Sequence, residues 1–143
     1  MILLYRLRFK NADSNQIDIL KSAYQNITYF NIGSSSFSNA IKLSDVHIPL
    51  VTQIPDNTFY ANRSLTSVFA PKVKNIGSYA FFGASSLSSI ELPEVTNIEN
   101  YAFANAINLS SVTAPKLERI GTEVFKNTNI PNDYVIGKVT IRN

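Results

Sequence analysis

One period governs this chain of 143 residues. Pro49, Pro71, Pro93 and Pro115 recur every 22 residues, and so do Ile54, Ile76, Ile98 and Ile120, with Ile32 one step earlier. Phe37, Phe59, Phe81, Phe103 and Phe125 form a third column; Leu43, Leu65, Leu87 and Leu109 a fourth. Val46, Val68, Ile90 and Val112 make a fifth, and Val51, Val73, Val95 and Leu117 a sixth. Five of the nine Phe fall at one phase of the period, which composition alone does not produce. A fixed period of this length is the mark of a stacked repeat, in which each unit buries its apolar side only against its neighbours.

Val68–Ser89 and Ile90–Ser111 show the unit. Ile90 and Leu92 alternate with Ser89 and Glu91, so the segment reads as a strand with one side inward. Pro93 ends the strand because it has no N–H to give a ladder. The Asn-Tyr-Ala-Phe run at 100–103 is expected to wind as a helical or 3₁₀ segment, with Phe103 returning to the core. The expected architecture is an α/β solenoid of 22-residue repeats, with a parallel β-sheet on one face and short helical or 3₁₀ turns on the other.

The string L-P-x-V-x-x-I-x-x-Y-A-F, followed by L-x-x-I, resembles the BspA-like class of leucine-rich repeats. The best copies are Leu92–Phe103 and Ala70–Phe81; Ala114–Phe125 and Ile48–Phe59 are more degenerate, and Ile32–Phe37 is fainter. That class commonly carries Cys a few residues after the Ala-Phe pair, where this chain has Ala40, Asn62, Ala84, Ala106 and Thr128. The resemblance implies a right-handed leucine-rich-repeat solenoid. It also implies a protein of a bacterial surface or phage particle that binds other macromolecules, as adhesins and phage tail proteins of the class do.

The repeat pattern occupies 27–131. Residues 1–26 depart from it: Leu3, Tyr5, Leu7 and Phe9 alternate with Leu4, Arg6 and Arg8, Asp13 precedes Gln16 at capping-box spacing, and Ile17, Leu20 and Tyr24 share a helical face. This strand–helix unit is expected to cap the N-terminal end, with docking or dimerisation through it as the sharper reading. Pro131 breaks the last repeat, and 132–143 is expected to form a C-terminal cap in which Tyr134–Arg142 is a strand.

Chemistry is thinly provided. The chain has no Cys, which excludes disulfides, thiolate metal sites and a Cys nucleophile. His47 is its one His, so a His pair for a metal is absent. Asp45, His47 and the Ser67/Ser89 column raise the idea of a catalytic triad, but no strained nucleophile elbow accompanies them. Glu94 lies between Lys72 and Lys116 in its column and reads as cross-strand charge matching. No phosphate-binding glycine motif occurs. The net charge of +3 is spread along the chain without a basic run, so nucleic acid is not expected as a partner. No apolar stretch approaches about 18 residues, and the opening MILLYRLRF is too short for a secretory signal. These features lead us to expect no enzyme, no cofactor and no membrane insertion. They place the protein in the cytoplasm or a phage particle, or at a surface if the chain is a fragment.

The exposed columns are then the expected working surface, with a protein as the expected partner. On the strand face these are Asp45, Ser67, Ser89 and Ser111, then His47, Phe69, Glu91 and Thr113. Phe69 is an aromatic on an otherwise polar strip, as interface hot spots are. On the turn flank, Tyr79 and Tyr101 share one column, and Tyr60 and Phe82 another. These rings read either as packing between repeats or as a patch for a protein or glycan. A cytosolic inhibitor or adaptor that masks another protein's site is the alternative function.

Overall fold

The computed structural model describes residues 32–142; the N-terminal unit expected at 1–26 lies outside them. Two parallel sheets run the length of the described solenoid. The first holds β1 (Asp45–His47), β3 (Ser67–Phe69), β5 (Ser89–Glu91) and β7 (Ser111–Thr113), paired in that order. The second holds β2 (Gln53–Ile54), β4 (Asn75–Ile76), β6 (Asn97–Ile98) and β8 (Arg119–Ile120). Asp45 pairs with Ser67, Ser89 with Ser111, and Ile54, Ile76, Ile98 and Ile120 pair in succession. Every one of these partners is 22 residues away, so the sequence period is the register.

The corner between the sheets is a β-turn with proline second. Val51 N–H donates to Ile48 O (3.2 Å) around Pro49, Val73 to Ala70 O (3.3 Å) around Pro71, and Leu117 to Ala114 O (3.0 Å) around Pro115. Proline's fixed φ suits that position. It therefore does more than stop the first strand: it bends the chain into a second strand, which the sequence reading did not foresee.

The turn face corrects the expectation of helical or 3₁₀ segments: no helix occurs among the described residues. Backbone donors there alternate between two kinds of acceptor. Thr58, Tyr60 and Asn62 N–H bond three residues back, to Pro55, Asn57 and Phe59 O. Asn57, Phe59 and Ala61 N–H instead reach the next coil, at Ser78, Ala80 and Phe82 O (2.7–2.9 Å). A helix needs consecutive donors to bond within the segment, and here every second one is drawn sideways. The chain accommodates this with left-handed residues in two columns: Ser35, Asn57, Tyr79, Tyr101 and Glu123, and Asn39, Ala61, Gly83, Asn105 and Asn127.

The interior is the predicted set of columns. Phe59, Phe81, Phe103 and Phe125 are buried and stack in file with Phe37, at centroid spacings of 5.4, 5.2, 5.0 and 5.6 Å along the file. Leu43, Leu65, Leu87 and Leu109 are buried beside them, as are Val51, Val73, Val95 and Leu117. Val68 and Ile120 are only partly buried. At the C-terminal end, the single strand expected over 134–142 is instead an antiparallel hairpin of β9 (Val135–Ile136) and β10 (Val139–Thr140). Gly137 forms its bend at φ 58°, where a Cβ would lie 2.6 Å from Leu117 O. The adjacent Lys138 N–H donates to that same oxygen (2.8 Å), and Ile136 and Ile141 enter the core.

Candidate recognition surfaces

All eight strand-face candidates share one side of the first sheet. Asp45 and Ser67 pair in register, then Ser89 and Ser111, while His47, Phe69, Glu91 and Thr113 form the row beside them. Side chains alternate across a strand, so the burial of Val46, Ile90 and Val112 turns their neighbours to solvent. Seven of the eight are exposed and Ser111 is half-buried. Phe69 is 49% exposed, although it is a large apolar ring. His47 packs its imidazole on that ring at 4.6 Å and 34°. The imidazole is thus in contact with an aromatic ring, and Asp45 accepts a hydrogen bond from Ser44 Oγ (2.6 Å). The row therefore sets an aromatic pair beside a column of serines.

Beside this strip, Glu94 receives Lys116 Nζ on both carboxylate oxygens at 2.7 Å. Lys72 makes no ion pair among the described residues, so one half of the expected Lys–Glu–Lys ladder forms. The pair is exposed on both sides and contributes at most about 1 kcal/mol.

Tyr79, Tyr101 and Phe82 lie on the turn face and form a separate surface. Tyr79 and Tyr101 stack at 5.0 Å and 9°, Tyr60 and Phe82 at 5.1 Å and 3°, and Tyr79 joins the two stacks through Phe82 at 5.7 Å. All four rings are half-buried. Stacking of this kind contributes cohesion between coils. At the end of the row, the negative charge of Glu123 above all, with desolvation adding to it, raises the Tyr101 phenol above its ordinary value. Lys126 donates to Glu123 (2.9 Å) and holds that carboxyl below the usual range.

A third polar surface escaped the sequence reading. Gln53, Asn75 and Asn97 point outward from the second sheet in a single row, and a recess of about 330 Å³ opens along them. Its signal was present as a polar column one residue before the Ile column, but it had no meaning until those residues were known to be strands. Among the described residues, no group of three or more His, Asp or Glu could hold a metal, and no helix is long and apolar enough to cross a membrane.

Two parallel sheets with a 22-residue register, an in-file Phe stack and prolines at the corners are the arrangement of one repeat class. The match to its family model, BspA type leucine-rich repeat region, takes in six copies over residues 7–140. The chain belongs to the BspA-type leucine-rich repeat family. It is also similar to a solved leucine-rich repeat protein from Bacteroides ovatus, at 35% identity and a TM-score of 0.66 over 71% of this chain. The chain spans 27% of the length of that protein. No curated protein matches the sequence. Solenoids of this family generally bind proteins or act in adhesion, and the fold is typically non-catalytic.

Proposed function

We propose that this chain is a non-catalytic binding module that receives a protein partner on the first sheet, centred on Phe69 and His47. The carrying observation is the ring of Phe69, half exposed and held against His47 beside the column of Ser67, Ser89 and Ser111. A rigid aromatic on a pre-formed sheet loses little conformational freedom on docking, and small hydroxyl residues around it can pack closely against a partner. Asp45, Ser67, Ser89, Glu91, Ser111 and Thr113 form the rim of this surface. Tyr79, Tyr101 and Phe82 serve cohesion of the stack.

The family's use in adhesion supports a setting on a bacterial surface or phage particle. The same surface would equally suit a cytosolic inhibitor or adaptor that masks another protein's site. The C-terminal hairpin fits the role of an end cap, since Ile136 and Ile141 close the core there. A photo-crosslinking amino acid installed at position 69 or at position 101, in the host cell, tests the choice of face. Discrete crosslinked partners are expected from position 69 and only background from position 101. Equal yields from both would remove the strand face from its place.

A further inference from the structure

We infer that the partner received on the first sheet docks an acidic segment there, with an apolar side chain on Phe69 and carboxylates to either side; the inference rests on the strand face being the docking surface. Charge is divided unevenly along the solenoid. Residues 33–76 hold four Lys and Arg against two carboxylates, and residues 77–128 hold three against five. The four of the first group, Lys42, Arg63, Lys72 and Lys74, are exposed, and none makes an ion pair among the described residues. Further along, Lys116 is held by Glu94 and Lys126 by Glu123. Lys72 is left over for that reason: Glu94, its neighbour in the column, turns both carboxylate oxygens to Lys116 at 2.7 Å. Lys74 stands in its column between Thr52 and Thr96, which carry no charge.

These cations bracket the exposed ring. Lys42 and Arg63 precede β1 and β3, while Lys72 and Lys74 follow β3 around the proline corner, so Phe69 lies on a strip with positive charge at both ends. The extended backbone from Leu65 to Ala70 covers about 16 Å. An extended partner reaches both ends together with carboxylates about four to six residues apart. The middle of the strip has the opposite sign: Asp45 pairs with Ser67, and Glu91 is in register with Phe69 itself. A peptide can answer that pattern, because its charges are placed one residue at a time. A nucleic acid cannot, since a phosphate on every nucleotide is brought onto Asp45 and Glu91 as well. Exposed charges of this kind act at the rim, where they speed encounter and select the partner more than they add affinity.

The test places an aromatic photo-crosslinking amino acid at position 69 in the parent, in Lys72→Glu/Lys74→Glu and in Arg63→Glu, and sequences the crosslinked peptides by mass spectrometry. Partner peptides are expected to carry a cluster of Asp or Glu within about six residues of the crosslinked position. The yield should fall about tenfold in Lys72→Glu/Lys74→Glu, where two attractive charges become repulsive, and by less in Arg63→Glu. Crosslinking of the parent in host extract at about 1 M salt, where the Debye length is about 3 Å, should lower the yield in the same way. The substituted side chains are exposed and unpaired, so thermal melts should match the parent; if a variant unfolds, the salt dependence and the peptide sequences decide. Discrete partners without an acidic cluster, yields indifferent to charge reversal and salt, or a nucleic acid as the captured species overturn the inference and leave the strand face in place. Background yield from the parent overturns the strand-face reading itself, and the inference with it.

Discussion

Removing the ring of Phe81 tests the stacking order more severely than any other single change. Phe81 is fully buried between Phe59 at 5.2 Å and Phe103 at 5.0 Å. Truncation of a buried Phe to Ala costs about 3–5 kcal/mol, because the cavity it leaves cannot fully collapse. Here the cavity lies between two rings, each of which also loses an aromatic partner worth about 0.5–1.5 kcal/mol. The upper part of the range, about 4–5 kcal/mol, is therefore expected for Phe81→Ala. Among the described residues Phe125 has one ring neighbour, Phe103 at 5.6 Å, and Phe125→Ala should sit about 1 kcal/mol lower. Urea unfolding followed by far-ultraviolet circular dichroism suits a chain without Trp. With a slope of about 2 kcal/mol/M, the Phe81→Ala midpoint falls by about 2 M. Because solenoid units couple mainly to their neighbours, the slope should also fall as the two halves begin to unfold separately. A cost below about 2 kcal/mol, or one no larger than that of Phe125→Ala, would refute the reasoning.

Three further changes probe features that the core does not report. Ala61 is held at φ 55°, in a column otherwise of Asn and Gly, so Ala61→Gly should stabilise by about 0.5–1 kcal/mol, read as a higher thermal midpoint. Asn62 is fully buried; its Oδ1 accepts the Ala40 N–H (2.9 Å), but its Nδ2 has no partner among the described residues. The Ala40 N–H also reaches Phe37 O, and Thr128 in the same column satisfies its hydroxyl on Phe125 O (2.7 Å). Asn62→Thr should therefore gain about 1 kcal/mol by removing an orphaned donor, and a loss in urea titration would show that Nδ2 is satisfied in solution. Glu123→Gln should lower the Tyr101 phenol toward its ordinary value, since the carboxylate's negative charge is what disfavours the phenolate. A pH titration of the Tyr101 ring resonances checks this, and an unchanged midpoint would refute it.

The interior was legible because a period of 22 requires equivalent residues to overlie one another, and apolar columns can only face inward. Phe59, Phe81 and Phe103 stack in file, and the strand face around Phe69 follows from alternation against Val46, Ile90 and Val112. The turn face was misread because Asn-Tyr-Ala-Phe has ordinary local helix potential, and its departure from a helix is dictated by acceptors on the next coil. Tyr79 and Tyr101 hold left-handed φ although neither is a residue that favours it. Their N–H groups bond to Asn100 and Thr122 O (both 3.0 Å), about one coil away, and this offsets the local strain. A clue was present in Asn39, Gly83, Asn105 and Asn127, which mark a left-handed column.

By itself, the amino-acid order determined the repeat length, the inward columns and the phase at which each side chain meets solvent, because these depend only on periodicity and hydrophobicity. Tertiary structure alone decided the second sheet, the left-handed turns and the row of amides that the sheet carries. Those depend on where each backbone N–H finds its acceptor, and in a solenoid half of the acceptors on the turn face belong to the neighbouring coil, which no local window of sequence contains.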